Sequence, residues 1–374
     1  MNALIHKSNS KTLSLDTIPT LESSQHLYQC VRQMKCQSSQ DMFVVKHKPT
    51  GDEFALRRTN LEAVESLEFV VNEIKLTCLL KHKNLLPILC SFVSGCQLWT
   101  ITPLARFGSA SDLSRPSGLS ELALAFIVRD VLSALVYLHK RGIIHRSVRG
   151  SHILVTAPEG RCLLSGLKHS TSCMIDGKWQ TAIHHYPSHP EPNLNWLAPE
   201  VLEQNLLGYN AKSDIYSLGI TLCELSNGCV PFEDVELTEM LLDKLTAHFP
   251  RPLDSTCQEI CDLSTEEMSQ EIRHKYEIYR NRTFSQSFHK FTIDLCLNFD
   301  PLLRPTASEL LDHSFVKQIK KSSHNNLISL IPNIKPLDCV QPLKNSFNGD
   351  SSSSDDNIAK SNACEESLND WNFS

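Results

Sequence analysis

The hydrophobic period of this chain changes once, near Gly108, and that change limits the folds open to it. From about Tyr28 the text is short and strand-like: FVVKH, a turn at KPTGDE, then FALRRTN. Pro49, Thr50 and Gly51 supply turn chemistry between two β-rich runs. LLPILCSFV and QLWTITPL predict a second hairpin, and residues 60–81 predict one helix with Leu67, Val70, Val71, Ile74 and Leu80 on its apolar face. After Gly108 the period is helical. Ser120 can cap a helix whose core face runs through Leu124, Ile127, Val128, Val131, Leu132, Leu135 and Leu138. Another begins near Ser213 and stops at Gly228 before Pro231, and residues 283–320 hold two more helical patterns. The result is an α+β reading: a small β-rich part over 25–104 and a larger α-helical part over 105–320.

Composition narrows the class. Hydrophobic residues are 41% and charged residues 21% of the 374, ordinary for a globular protein. Lys plus Arg total 36 against 42 Asp plus Glu, so no basic footprint for nucleic acid is present. The 14 cysteines form no C-x-x-C pair and no secretory apolar region follows Met1, which reads as reduced thiols in an intracellular protein. The most apolar stretch, Leu85 to Ala105, is interrupted by Ser91, Ser94, Gly95, Gln97 and Thr100 and reads as paired strands, so no membrane span is expected. Residues 1–24 and 321–374, the latter with SSSSDD at 351–356, are polar and are expected to be disordered tails.

Four landmarks then stand in order. His145-Arg146-Ser147-Val148-Arg149-Gly150-Ser151-His152-Ile153-Leu154-Val155 follows a long helix and precedes a short apolar hairpin, as the catalytic loop H-R-D-L-x-x-x-N of protein kinases does. Ala198-Pro199-Glu200 matches A-P-E, Ser213-Asp214-Ile215-Tyr216-Ser217-Leu218-Gly219 the helix that anchors the loop, and Asp300-Pro301 through Arg304-Pro305 the late arginine that pairs with the A-P-E glutamate. Together they resemble a bilobal protein kinase.

Phosphoryl transfer needs a Gly-rich phosphate cover, a lysine, metal ligands and a base. At the base position stands Ser147, which has no carboxylate; at the second-metal Asn stands His152, a poor magnesium ligand. Counting on to the next strand places D-F-G at Gly166-Leu167-Lys168, so the main metal-binding Asp is a glycine. V-A-I-K reads Phe54-Ala55-Leu56-Arg57, and its helical partner Glu73 is present; Arg57 and Glu73 are the remnant of a nucleotide cleft and more simply a structural ion pair. No glycine precedes Gly51, so the phosphate loop is absent and side chains such as Met34 and Cys36 stand where backbone must approach phosphate. Loss of a general base costs roughly 10²–10⁴ in rate, and loss of both metal positions removes a separate electrostatic contribution. Efficient phosphotransfer is not expected, and no catalytic residue is assigned.

H-R-S-V-R-G-S-H-I-L, L-S-G-L, Trp196-Leu197-Ala198-Pro199-Glu200, Gly208 through Ser217, Phe107-Gly108-Ser109-Ala110 and His313 through Lys320 resemble the sterile-20-related adaptor (STRAD) pseudokinases over about residues 28–320. Departures lie in the phosphate loop and in 250–282. Trp371-Asn372-Phe373-Ser374 resembles that family's terminal Trp-Glu-Phe motif, which docks on a helical-repeat scaffold, mouse protein 25 (calcium-binding protein 39). The resemblance implies an adaptor that binds and allosterically activates serine/threonine kinase 11, with His184 and Tyr186 of the activation segment touching the client and Trp371 and Phe373 the scaffold. It implies a cytoplasmic and nuclear location; some members hold ATP without turnover, but the absent phosphate-loop glycines speak against nucleotide binding here, and no cofactor is assigned. The alternatives are a weakly active serine/threonine kinase and an ATP-sensing module. His184, His185 and His189 in HHYPSHP lack a cysteine at zinc spacing, and no metal is expected.

Overall fold

The computed structural model describes residues 21–331, apart from 35–40, 63–66, 176, 188, 205, 263–267 and 323–325. Two compact units emerge, one drawn from within 20–67 and 88–104, the other from 68–87 and from 105 onwards.

The first unit is a five-stranded antiparallel sheet. Its strands are β1 (Tyr28–Met34), β2 (Asp41–His47), β3 (Glu53–Asn60), β4 (Cys90–Ser94) and β5 (Gln97–Pro103), in spatial order β1-β2-β3-β5-β4. Side chains alternate across a strand, and Phe43, Val45, Phe54, Leu56 and Ile101 fall on one face with Tyr28 and Leu21 in a single buried cluster. Arg57, opposite Met42 and Thr100 in register, takes the other face with Val44 and Ala55. The segment 35–40 that joins β1 to β2 is where a phosphate cover would lie, and it lies outside the described residues.

The second unit is helical. It holds α1 (Leu67–Leu79, from Glu68 on), α2 (Ala110–Ser114), α3 (Glu121–His139), α4 (Pro199–Leu202), α5 (Lys212–Asn227) and α6 (Leu237–Leu245). A further helix, Gln270–Asn281, and shorter helical segments follow as far as Ile328–Leu330. Ser120 caps α3, its side chain accepting from the Ala123 N–H. α3 is long and apolar enough to cross a membrane, but it is a core helix: Leu124, Val131, Leu132, Leu135 and Leu138 are fully buried among α5 and the helix Ala307–Leu311. Short strands β6 (Ile143–Ile144), β7 (Ile153–Val155), β8 (Cys162–Leu164) and β9 (Thr171–Ser172) frame the loop after α3, with β7 paired to β8 and β6 to β9.

Several boundaries differ from the sequence reading. The helix expected over 60–81 runs Leu67–Leu79, because Asn60 closes β3. The strand expected from Leu85 begins only at Cys90. Pro87 cannot donate to a ladder, and Leu85 and Leu86 instead belong to the helical unit, where the Leu86 N–H donates to the Leu164 carbonyl. Both tails are shorter than expected at their inner ends. Leu21 is buried, and Leu327 is buried in the helical core, with Ile328, Leu330 and Ile331 partly buried against it.

Candidate functional site

The loop after β6 hangs on one buried carboxylate. Asp214, in the first turn of α5, accepts from the backbone N–H groups of His145 and Arg146 (2.8 Å each) and from His139 Nε2 (2.8 Å). Burial alone would raise its pKa, but these donors outweigh that and hold it below the usual carboxylate range. Arg146 is thereby fixed at φ 59°.

Next on the loop, Ser147 is 1% exposed. Its hydroxyl donates to Asn193 Oδ1 (2.7 Å) and lies 3.0 Å from His152 Nδ1. Asn193, 2% exposed, belongs to a 3₁₀ turn, Glu191–Trp196, that closes over Ser147. The His152 ring is oriented at both nitrogens: Nδ1 meets the Ser147 carbonyl at 2.8 Å and Nε2 accepts from Arg149 Nη2 at 3.2 Å. Since Arg149 can only donate, the Nδ1–H form is the one present. Burial and then the Arg149 guanidinium hold His152 well below the usual histidine range, so the ring is neutral. Gly166 sits against that ring with φ +88°; a Cβ there would lie 2.5 Å from His152 Nδ1. Neither position presents a carboxylate, and magnesium, which takes oxygen ligands, does not fit this pair.

Arg146 is the hub of the next layer. Its Nε donates to the His169 carbonyl (2.6 Å) and its Nη1 to the Tyr209 hydroxyl (3.0 Å), which in turn donates to the His185 carbonyl (2.9 Å). His169 is 4% exposed, and burial followed by Lys168 and Arg146 lowers its pKa to about 3. α1 reaches the same segment: Asn72 Nδ2 donates to the Ser170 carbonyl (3.2 Å), and Phe69 packs on the His169 and His189 rings.

The stretch from Ile183 to Trp196 is pinned at both ends. Ile183 and Tyr209 exchange two backbone hydrogen bonds (2.7 and 2.9 Å). At the far end Lys244 of α6, wholly buried, donates to the carbonyls of Leu194, Asn195 and Leu197 at 2.8–3.0 Å with Tyr216 and Phe232 flanking its ammonium. Glu224 of α5 accepts from Trp196 Nε1 and from the Gly150 N–H, both at 2.9 Å. Arg304 makes a two-pronged pair with Glu200 (2.6 and 2.9 Å). Replacing Lys244 by Met keeps the stem but strands three carbonyls. An orphaned buried acceptor costs about 1–3 kcal/mol, so Lys244→Met is expected to lower unfolding stability by about 2–3 kcal/mol, read by denaturant melts.

Comparison with known proteins bears on this geometry. The protein kinase domain model matches residues 38–316. STE20-related kinase adapter protein alpha of Bos taurus is 41% identical over 320 residues, which is 79% of this chain and 84% of that protein. The Homo sapiens alpha protein is 38% identical over 358 residues, covering 88% of this chain and 80% of its own length. The Homo sapiens beta protein is 38% identical over 312 residues, 77% and 74% of the two chains. The chain belongs to the STE20-related kinase adapter family. The α+β kinase fold and the resemblance expected from the four landmarks are both borne out.

Within this adapter, most of the site residues expected from the sequence fall among the described residues. Ser147, His152 and Gly166 come together as described. Arg57 lies on β3 in the sheet unit and Glu73 on α1 in the helical unit, each half-buried. His184 is exposed and Tyr186 half-buried; both line a shallow groove with Val201, Gln204 and Gly208. Trp371 and Phe373 lie outside the described residues. Among the described residues no group of three His, Cys, Asp or Glu side chains is placed to hold a metal; His189 turns to Phe69 and His185 to Thr171. Sequence reading missed Asn193, Lys244 and Tyr209. A lone lysine in an amphipathic helix and an asparagine in a Pro-rich loop carry no local signal of burial.

Proposed function

We propose that this chain is a pseudokinase adaptor: it binds a client kinase and favours the client's active state, and it transfers no phosphate itself. Ser147 carries this reading. Where a kinase offers a base to an incoming hydroxyl, this chain offers a serine already bonded to Asn193 beneath the Glu191–Trp196 turn. The His152 imidazole against Gly166 removes the metal positions by the same means, filling them with protein.

The client we propose is serine/threonine kinase 11 and the scaffold mouse protein 25 (calcium-binding protein 39), with residence in the cytoplasm and nucleus. His184 and Tyr186, on a segment pinned by Tyr209 and Lys244, supply a preformed contact surface for the client. Trp371 and Phe373 supply aromatic anchors for the scaffold. A surface that fits one client conformation shifts the client's population by its differential affinity.

Co-purification tests the pair of contacts. His184→Ala with Tyr186→Ala is expected to weaken client binding at least tenfold while scaffold binding stays. A chain ending before Leu368 is expected to lose the scaffold. Unchanged client binding by the double variant would remove the segment from the interface. As to nucleotide, ATP is expected to raise the melting temperature no further with magnesium than with a chelator, since the His152–Gly166 pair offers that ion no oxygen ligand. An added shift with magnesium would show that the metal site is intact.

A further inference from the structure

One face of the sheet is covered at one end and open at the other. The covering is a strap, Leu21 to Leu27. Leu21 is seated in the apolar cluster, the Glu22 carbonyl accepts from the Tyr28 hydroxyl (3.0 Å), and the Leu27 carbonyl accepts from the Lys48 N–H (2.8 Å). Beside it lies a hollow of 560 Å³ floored by Tyr28, Cys30, Phe43, Leu56, Arg58 and Trp99, with Ser24 to His26 on its rim. The Arg58 guanidinium lies over the Phe43 ring at 4.2 Å, so the hollow has an aromatic floor with one cation in it. A half-apolar sheet face of this kind is ordinarily covered.

The chain itself arrives there. Residues 1–20 lie outside the described residues and join the structure at Leu21, which is buried in the same apolar cluster as Tyr28, Phe43 and Leu56 of the hollow's floor. Their last eight, LSLDTIPT, carry Leu13, Leu15 and Ile18, and Asp16 is the one acid among the first twenty residues. Eight extended residues reach about 26–29 Å, whereas five strands at about 4.8 Å spacing are about 19 Å across. The length, the point of attachment and the charge all match.

The geometry points to residues 13–20 of this chain as the occupant: they fold back into the hollow, Leu15 and Ile18 against Trp99 and Phe43, with Asp16 beside Arg58. This inference stands apart from the adaptor reading, since it concerns the opposite face of the sheet from Arg57 and needs neither client nor scaffold.

Cys30, exposed among the described residues and part of the floor, reports occupancy. Its alkylation by a maleimide, followed residue by residue by mass spectrometry, is compared in the full chain and in a chain beginning at Thr20. Removal of the segment is expected to speed Cys30 modification about tenfold. Asp16→Arg in the full chain is expected to speed it severalfold, and Arg58→Asp added to Asp16→Arg to restore protection. Cys78 and Cys261, exposed in the helical unit, should react equally throughout, while buried Cys162 and Cys223 stay unreacted, which shows that each variant is folded. Equal Cys30 rates in full and shortened chains would overturn the inference. So would protection that survives the shortening and falls on dilution, which would identify a second copy as the cover.

Discussion

Returning a carboxylate to position 166 is expected to destabilise this protein by about 3 kcal/mol rather than to repair it. The Gly166→Asp side chain must enter at φ +88°, where a Cβ costs roughly 1–2 kcal/mol. It must also displace the His152 ring, whose Nδ1 lies 2.5 Å from the new Cβ; overpacking of this kind costs about 1–3 kcal/mol. The ring is not free to move, since Ser147 and Arg149 hold its two nitrogens. The two positions are therefore coupled. In a His152→Ala background the same Gly166→Asp change should cost about 1–2 kcal/mol less, read as a double-mutant cycle from denaturant melts. Equal costs in the two backgrounds would mean that the ring does not occupy the metal position. Ser147→Asp fails for a related reason, because its carboxylate would face Asn193 Oδ1 in a site that is 1% exposed.

Acid should unfold this protein early. His169 has a folded pKa of about 3 against an unfolded value near 6.5. Between those values the unfolded chain binds the extra proton, so stability falls as pH falls from about 6.5 towards 3. One such group contributes a slope of about 1.4 kcal/mol per pH unit, hence about 2 kcal/mol between pH 6.5 and 5. His145 and His152 are also held below the ordinary value, chiefly by burial, and add slope of the same sign. Asp214 contributes only lower down: its carboxylate is held below the usual range, so its stabilisation is lost below about pH 3.8. His169 gives the cleanest test, because its Nε2 is buried with no hydrogen-bond partner among the described residues. His169→Leu should leave stability at pH 7.5 within about 1 kcal/mol of the parent and reduce the acid slope by about one proton. An unchanged slope would show that His169 is protonated in the folded state.

The fold was legible where the sequence carries a period or a landmark. Asp214, Glu200 and Arg304 were read from motif spacing, and each sits at the bond that spacing implies. The β2–β3 hairpin was read from Pro49-Thr50-Gly51 between two β-rich runs. Leu85 and Leu86 were misread because their apolar run looks like strand text, and only packing on Leu164 assigns them to the other unit. For the site, the missing groups were readable as residue types at fixed offsets. What replaces them was not. The closure of Ser147 by Asn193 and of the turn's end by Lys244 depends on partners 46 and 47–50 residues away, and no local pattern encodes such pairings.

Arg146 has a consequence for signalling. In kinases, loops of this kind become ordered when an arginine captures an added phosphate. Here the guanidinium is already committed to the His169 carbonyl and the Tyr209 hydroxyl, and Tyr209 passes the restraint on to His185. The segment bearing His184 and Tyr186 thus takes its shape at the moment of folding and waits for no upstream enzyme.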